Sequence, residues 1–186
     1  EKIAIYPDSQ YDKDGVYSGS SLLESGVLHV FYTGNVRYTG DYDYVTSGRE
    51  QNVLSVSSLD GIHFNHKQLL MTNKDFPHTM TKHVRDPQIF KEDNQYYMVL
   101  GARHLENKGL VLIYESQDMT HWTYLNELTT SIHLVTCGNV LISLYWANID
   151  FLLLVPKVLK ALNINIKIVI NVVILKFMVI FVKMEL

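Results

Sequence analysis

The amino-acid sequence predicts an all-β fold with antiparallel strands. Residues 1–130 form a succession of short segments rich in Val, Tyr, Phe, Ile and Thr, separated by turns of Asp, Asn, Gly and Ser. No helical pattern interrupts these segments, and parallel strands need long crossover connections that are usually helical. We predict eight strands, at residues 15–23, 27–34, 49–57, 63–70, 85–91, 95–102, 109–116 and 121–128.

The strands repeat in groups of four. Residues 17–32 match a stretch that lies 68 residues later, and residues 53–64 match a stretch that lies 58 residues later, with the order of motifs preserved. Two such units are typical of β-propeller blades, whose first strands line a central channel. Ser18 and Asp86 then occupy equivalent positions on two innermost strands and face one channel mouth. Two unrelated meanders in a β-sandwich are the alternative.

The tripeptide Arg85-Asp86-Pro87 is the central polar motif. Proline cannot donate to a strand ladder, which favours a strand start or an edge strand at Pro87. Arg85 and Asp86 are therefore expected at the mouth of a strand, where polar chemistry is usually placed. A surface ion pair ahead of an ordinary strand is the alternative.

Composition limits the classes of function. A chain of 186 residues with a net charge of -3 and no run of Lys or Arg fits one domain and offers no case for a nucleic-acid partner. The single cysteine, Cys137, cannot form an intramolecular disulfide, which favours a reducing, cytoplasmic location. The first residue is Glu1, so the chain is expected to begin partway into a larger protein.

Four stretches carry a resemblance to a known family: Tyr-Ser-Gly-Ser at 17–20, Phe-Tyr-Thr-Gly-Asn at 31–35, Ser-Ser-Leu-Asp-Gly-Ile-His-Phe at 57–64 and Arg-Asp-Pro at 85–87. In this order and at these distances they resemble glycoside hydrolase family 32, in its branch of bacterial sucrose-6-phosphate hydrolases and β-fructofuranosidases (invertases). The resemblance covers residues 1–130. It implies a five-bladed β-propeller, of which about two blades are present here, and usually a β-sandwich after the propeller.

The resemblance also implies an activity and a set of site residues. The family hydrolyses terminal β-D-fructofuranosides with retention, on a small sugar substrate such as sucrose or sucrose 6-phosphate, and without a cofactor, metal or membrane partner. Asp86 matches the carboxylate that stabilises the transition state, and Arg85 matches the guanidinium that orients it. Tyr17 and Ser18 match an aromatic-serine pair that contacts the sugar.

Both catalytic carboxyl groups of the family are missing from this sequence. Retaining glycosidases need two carboxyl groups roughly 5 Å apart. The nucleophile of the family lies in Asn-Asp-Pro-Asn-Gly, and nothing similar precedes Tyr17; Asp8, Asp12 and Asp14 are predicted to be loop residues instead. The acid/base lies in Gly-Tyr-Met-Trp-Glu-Cys-Pro, where residues 134–141 read Leu-Val-Thr-Cys-Gly-Asn-Val-Leu.

A shifted reading frame accounts for that departure. Codons for residues 135–141, read one base earlier, can restore Tyr-Met-Trp-Glu-Cys-Pro, and residues 154–158 can restore Ser-Pro-Gln-Gly, which again resembles the family. We therefore expect residues 131–186 to be an out-of-frame tail and not a native domain. The tail has no arginine and only one glycine, a bias that AT-rich coding sequence gives in a wrong frame.

A membrane segment at residues 164–182 is the alternative for the tail, since a spanning helix takes about 20 apolar residues. Asn165, Lys167, Asn171 and Lys176 argue against it because lysine is costly at the centre of a bilayer. Histidines offer no metal site by spacing. His63, His66, His78 and His83 are predicted to be turn and surface residues.

Overall fold

The computed structural model describes residues 3–129, 141–146 and 149–154. These residues contain ten β-strands and no helix, which confirms the all-β prediction. The strands are β1 (Val16–Glu24), β2 (Val27–Arg37), β3 (Arg49–Ser58), β4 (Gln68–Met71), β5 (Met80–Glu92), β6 (Gln95–His104), β7 (Gly109–Ser116), β8 (Thr123–Thr129), β9 (Leu141–Trp146) and β10 (Ile149–Leu154).

The first eight strands form two four-stranded antiparallel sheets, in the orders β1-β2-β3-β4 and β5-β6-β7-β8. Each sheet is a meander in which every strand pairs with its neighbour in sequence. Each sequence repeat is therefore one sheet, which is the topology of a propeller blade.

The first strands of the two sheets lie side by side. The backbone N–H of Ile89 on β5 donates to the Ser20 hydroxyl on β1 over 2.9 Å. Lys91 pairs with Glu24 across the same boundary, with 2.8 Å between Nζ and Oε1. Adjacent first strands are what the blades of a propeller require, and the repeat therefore reflects one architecture shared by both sheets.

An apolar core fills the space between the two sheets. β2 and β3 contribute Phe31 and Val53, which are buried against Val84, Leu100 and Leu112 of the second sheet. A smaller cluster lies on the other side of the first sheet, where Tyr32, Leu54 and Val56 pack against the residues that precede β1. Residues 31 and 32 belong to different clusters because consecutive side chains on a strand point to opposite faces.

Two turns have the same internal structure. Asp60 Oδ1 accepts the N–H groups of Ile62 and His63, each over 2.8 Å, and Asp60 Oδ2 lies 2.7 Å from His63 Nδ1. Asp118 repeats these contacts with His121 at the same distances. The two turns are 58 residues apart, so the predicted repeat holds at the level of single hydrogen bonds.

Two strand predictions were wrong in their bounds. The strand predicted at 63–70 is only Gln68–Met71, because the Asp60 turn occupies the residues before it. The strand predicted to open at Arg85 starts at Met80 and pairs with the end of β6. Pro87 therefore lies inside β5, on the edge of its sheet, at a bulge where its missing N–H breaks no ladder hydrogen bond.

The predicted tail is described only at β9 and β10, which pair as an antiparallel hairpin that the sequence analysis did not predict. The candidate membrane segment at 164–182 lies outside the described residues. Within the described ranges, no helix is long and apolar enough to cross a membrane.

Candidate functional site

Ser18 and Asp86 both lie at β-bulges. The pairing of β1 with β2 passes from Tyr17↔Thr33 to Gly19↔Tyr32 and leaves Ser18 as the extra residue. The pairing of β5 with β6 passes from Arg85↔Gly101 to Gln88↔Val99, so that Asp86 and Pro87 oppose one residue. A bulge redirects a side chain out of the regular alternation. The positions that the repeat made equivalent therefore share one local distortion.

Asp86 has the most unusual environment among the predicted site residues. Its φ is 60°, in the left-handed region, and its N–H donates to the Thr33 hydroxyl over 2.8 Å. The residue is only 5% exposed, and among the described residues its carboxyl group accepts no hydrogen bond. Burial raises the pKa of this carboxyl to about 6, and the neighbouring Arg85 opposes that rise. Strained backbone of this kind is concentrated at functional sites.

The other predicted residues surround the same end of the sheets. Tyr17 pairs across the ladder with Thr33, the residue that holds the Asp86 backbone, and its side chain is 39% exposed. Ser18 is exposed, and Arg85 is half-buried beside Asp86. A carboxylate, a guanidinium, a hydroxyl and an aromatic ring in this arrangement can hold a ligand rich in hydroxyl groups.

Further polar side chains are buried at this end of the first sheet, and their burial was not predicted from the sequence. Asn35 and Gln51 pair across β2 and β3 on the same face as Thr33, and they are 2% and 0% exposed. Asn35 Oδ1 and both amide atoms of Gln51 find no hydrogen-bond partner within the described part of the chain. Polar residues inside strands normally face water, so only the packing of the second sheet reveals their burial.

His83 corrects the prediction of surface histidines. His63, His66 and His78 are exposed, but His83 is half-buried and its Nδ1 has no hydrogen-bond partner among the described residues. Burial, together with the nearby positive charges of Arg85, Arg49 and Arg103, lowers the pKa of His83 to about 4. His83 is therefore neutral near pH 7.

Asp12 is a structural residue in the loop before β1. Its side chain is fully buried and accepts hydrogen bonds from Tyr32, Ser9 and Lys67, the last over 2.6 Å. Burial favours a higher pKa for Asp12, but these hydrogen bonds lower the pKa below its usual value. Asp8 also pairs with Lys67, and Asp14 accepts the N–H of Arg37. The loop assignment of these aspartates agrees with the structure.

A cavity of about 110 Å³ lies away from Asp86, between β2, β3 and the Asp118 turn. None of the predicted site residues lines it. Its walls are formed by His29, Phe31, Ser55, Val56, Ser57, Asn65, Gln68, Asp118, Met119 and Thr120. In the part of the chain that the structure describes, no group of three or more His, Cys, Asp or Glu side chains could hold a metal ion.

Comparisons with known proteins give several matches. Sucrose-6-phosphate hydrolase of Salmonella typhimurium is 36% identical over 129 residues, which are 69% of this chain and 26% of that protein. Raffinose invertase of Escherichia coli is 35% identical over 122 residues, 66% of this chain and 24% of that protein. The chain thus spans about a quarter of the length of the curated relatives it matches.

Solved structures agree in fold. Sucrose-6-phosphate hydrolase from Lactobacillus gasseri superposes with a TM-score of 0.56 at 35% identity, covering 65% of this chain and 23% of that chain. A GH32 β-fructofuranosidase of Bombyx mori superposes with a TM-score of 0.61 at 22% identity, covering 75% of this chain and 29% of that chain. The second likeness concerns the fold alone.

The family model described as "Glycosyl hydrolases family 32 N-terminal domain" matches residues 1–169. This match extends beyond residue 130, whereas the pairwise matches to relatives span 122 and 129 residues. With the paired bulges at Ser18 and Asp86 and the two blade-like sheets, these matches show that the chain belongs to glycosyl hydrolase family 32.

Proposed function

We propose that this chain is part of a glycoside hydrolase that releases fructose from terminal β-D-fructofuranosides, with sucrose or sucrose 6-phosphate as substrate. The observation that carries the proposal is the buried carboxyl of Asp86. This residue has a strained backbone and lies next to Arg85 on a bulge that matches the bulge at Ser18. The names of the relatives, sucrose-6-phosphate hydrolase and raffinose invertase, agree with that substrate class.

Asp86 stabilises the transition state by accepting hydrogen bonds from fructose hydroxyl groups. Hydrogen bonds to a charged acceptor contribute about 1.5–3 kcal/mol each. The free carboxyl group has no competing partner among the described residues, so its acceptor capacity is available to a sugar. Arg85 holds the carboxylate in its charged form, and Tyr17 and Ser18 contact the sugar from β1.

The reaction of the complete enzyme proceeds with retention and needs a nucleophile and an acid/base. Asp12 does not supply the nucleophile, because its carboxylate is fully buried and already bonded to Tyr32, Ser9 and Lys67. We therefore infer that the isolated chain binds fructosides and hydrolyses them slowly or not at all. A cytoplasmic location fits the single cysteine.

A carbohydrate-binding remnant without catalysis, or an unstable product of a disrupted gene, is the second candidate. The sequence at 134–141 favours it, because no glutamate stands there to act as the acid/base.

Binding and hydrolysis are measured separately on the purified chain. Saturation-transfer NMR with sucrose reports binding, and a fructose assay reports hydrolysis. We expect binding that Asp86→Asn abolishes and that Glu92→Gln, at the exposed end of the same strand, preserves. Sucrose binding that survives Asp86→Asn contradicts the site. Fructose release at an enzymatic rate contradicts the inferred inactivity.

A further inference from the structure

The N–H group of Asp86 bonds across the boundary between the two sheets. The pairing of β5 with β6 skips residues 86 and 87, and the Asp86 N–H donates instead to the Thr33 hydroxyl on β2 over 2.8 Å. Both residues are buried, with Thr33 0% and Asp86 5% exposed. Without this hydroxyl a buried backbone donor would be left unpaired, which is costly in a protein interior.

The backbone conformation of Asp86 needs such support. Its φ of 60° lies in the left-handed region, which is disfavoured for residues other than glycine. Pro87 adds to the strain, because a proline pushes the residue before it toward extended backbone. A strained conformation persists only where the surrounding structure fixes it. The Thr33 hydroxyl is a contact that fixes Asp86 from outside its own sheet.

Thr33 is suited to this task by its place in the first sheet. It pairs with Tyr17 on β1 and with Val53 on β3, so its backbone is held by neighbouring strands on both sides. Threonine is branched at Cβ, which restricts the rotation of its side chain. The Thr33 hydroxyl is therefore presented to β5 at a fixed position.

A second hydroxyl makes the same kind of bond three residues further along β5. The Ile89 N–H donates to the Ser20 hydroxyl on β1 over 2.9 Å. Ser20 lies two residues after Ser18, and Thr33 lies opposite Tyr17, the residue before Ser18. The two bonds therefore lie on either side of Ser18, but only the bond from Thr33 reaches Asp86.

We propose that Thr33 is a positioning residue of the fructoside site, whose hydroxyl holds the Asp86 backbone in the conformation that directs the carboxyl toward a sugar beside Ser18. Because Thr33 is fully buried, it acts through Asp86 and not by contact with the sugar. This role rests on the proposed fructosidase function, but its effect on Asp86 can be measured without a sugar.

Three variants separate positioning from a general structural role. Thr33→Val keeps the branched shape and removes the acceptor, whereas Thr33→Ser keeps the hydroxyl. Ser20→Ala is the matched control, because it removes the same kind of bond between the sheets at Ile89 instead of Asp86. A purely structural role predicts similar consequences for Thr33→Val and Ser20→Ala. Positioning predicts that only Thr33→Val changes Asp86.

NMR titration of the Asp86 carboxyl carbon in the purified chain is the first readout. Burial raises the pKa of this carboxyl to about 6, against the opposing charge of Arg85. Without the Thr33 hydroxyl the backbone can relax and the carboxyl gains water, so we expect the pKa in Thr33→Val to fall to about 5 or lower. Thr33→Ser and Ser20→Ala should keep it near 6. An unchanged pKa in folded Thr33→Val overturns the role of Thr33.

Calorimetry with sucrose is the second readout. We expect Thr33→Val to weaken binding about tenfold, which corresponds to the loss of one hydrogen bond to a charged group. Thr33→Ser and Ser20→Ala should bind as the unaltered chain does. If Asp86→Asn abolishes binding and Thr33→Val leaves it unchanged, the positioning role is wrong and the fructoside site stands. If the unaltered chain binds no sucrose, the proposed function fails, and the titration alone decides whether Thr33 controls Asp86.

Hydrogen exchange provides a measurement that needs no variant. If Thr33→Val does not fold, the Asp86 amide of the unaltered chain is compared with the Ile89 amide, which bonds to Ser20. We expect both amides to exchange slowly. An Asp86 amide that exchanges at the rate of an unstructured peptide shows that Thr33 does not hold it, and overturns the proposal.

Discussion

Asp86 owes its properties to its position on a bulge at the boundary between two sheets. The bulge turns the residue out of the regular alternation, and the Thr33 hydroxyl fixes its backbone. Because the surrounding core withdraws the carboxyl from water, its pKa rises to about 6. In the same tripeptide on a regular, exposed strand, the aspartate would lack the burial that raises the pKa of Asp86.

The raised pKa of Asp86 should make the unfolding free energy of the chain depend on pH. The folded state binds the Asp86 proton more tightly than the unfolded state, whose pKa is near 3.8, so this group lowers stability as pH rises from about 4 to about 6. The expected loss is about 3 kcal/mol, at about 1.4 kcal/mol per pKa unit. Urea unfolding of the unaltered chain and of Asp86→Asn, at pH values across this window, measures it.

The effect of Asp86 is read from the difference in unfolding free energy between the unaltered chain and Asp86→Asn. His83 has a lowered pKa of about 4, so its contribution to stability rises with pH over much of the same window and opposes that of Asp86. His83 is present in both proteins and its contribution cancels in the comparison. A difference in unfolding free energy that is the same at pH 4 and pH 6.5 contradicts the raised pKa.

Asp12 supports the fold through its buried hydrogen bonds. Asp12→Asn removes the buried charge partner of Lys67, whose side chain is 15% exposed and which keeps only the exposed Asp8 as a partner. Removing one partner of a buried ion pair costs about 3–5 kcal/mol, so we expect a loss near the lower end of that range. Urea unfolding at pH 7 measures the loss.

Asp14→Asn is the control for Asp12, because its carboxylate is exposed and accepts a single backbone hydrogen bond from Arg37. We expect a much smaller effect from this change. Acidification tests the same interaction: the pKa of Asp12 lies below its usual value, so its stabilisation is complete above about pH 4 and is lost at lower pH. Equal losses in the two variants would contradict the structural role of Asp12.

At the level of the strand, the bulge in β1 depends on Gly19. A Cβ atom at this position would lie 1.8 Å from the Phe31 carbonyl oxygen on β2. Backbone atoms cannot move aside as a flexible side chain can, so Gly19→Ala has to separate β1 from β2 or to distort the bulge. The close approach of two backbones, and not a positive φ, requires glycine here.

We expect Gly19→Ala to lower the unfolding free energy by about 3 kcal/mol, at the upper end of the usual range for overpacking. Gly26→Ala is the comparison, because Gly26 has open space around it and a φ of 80°, so only backbone strain of about 1 kcal/mol opposes alanine. Thermal unfolding followed by circular dichroism ranks the two variants. The reverse order would show that β1 does not pack against β2 at the bulge.

For the whole molecule, two blade-like sheets leave faces that a further blade normally covers. Exposed apolar side chains are found on both sheets, for example Leu23 on β1, which is 68% exposed, and Leu125 on β8, which is 50% exposed. Units of a repeat architecture gain stability from their neighbours, so the isolated chain should unfold broadly and at a low temperature. Differential scanning calorimetry tests this. A sharp cooperative transition at high temperature contradicts it.

The proposed out-of-frame tail, residues 131–186, is tested at the level of the gene. Nucleotide sequencing across the codons for residues 128–141 should reveal one inserted or deleted base whose correction restores Gly-Tyr-Met-Trp-Glu-Cys-Pro. Sequencing upstream of Glu1 should also reveal Asn-Asp-Pro-Asn-Gly. A continuous frame through residue 186, with no change that restores the motif, contradicts the frameshift.

Sequence reasoning succeeded where a local pattern has one structural meaning. The Asp60 and Asp118 turns, the alternating strands and the offsets between repeats led to the two sheets and to the equivalence of Ser18 and Asp86. It failed at β4 and at the start of β5, because side-chain hydrogen bonds in the preceding turn and pairing with β6 set those bounds. The pairing with β6 has no local signature, because it joins Met80 to His104, which lie far apart in the sequence.

The sequence by itself determined the fold class, the repeat and the family, because hydrophobic alternation, turn chemistry and ordered motifs are properties of neighbouring residues. Only the tertiary structure decided that Asp86 is withdrawn from water and that His83 is half-buried with a lowered pKa. It alone also showed that Asp12 is a buried structural partner of Lys67. Burial and charge proximity are created by residues far apart in the chain, and the electrostatics of the site therefore follow from how the two sheets pack.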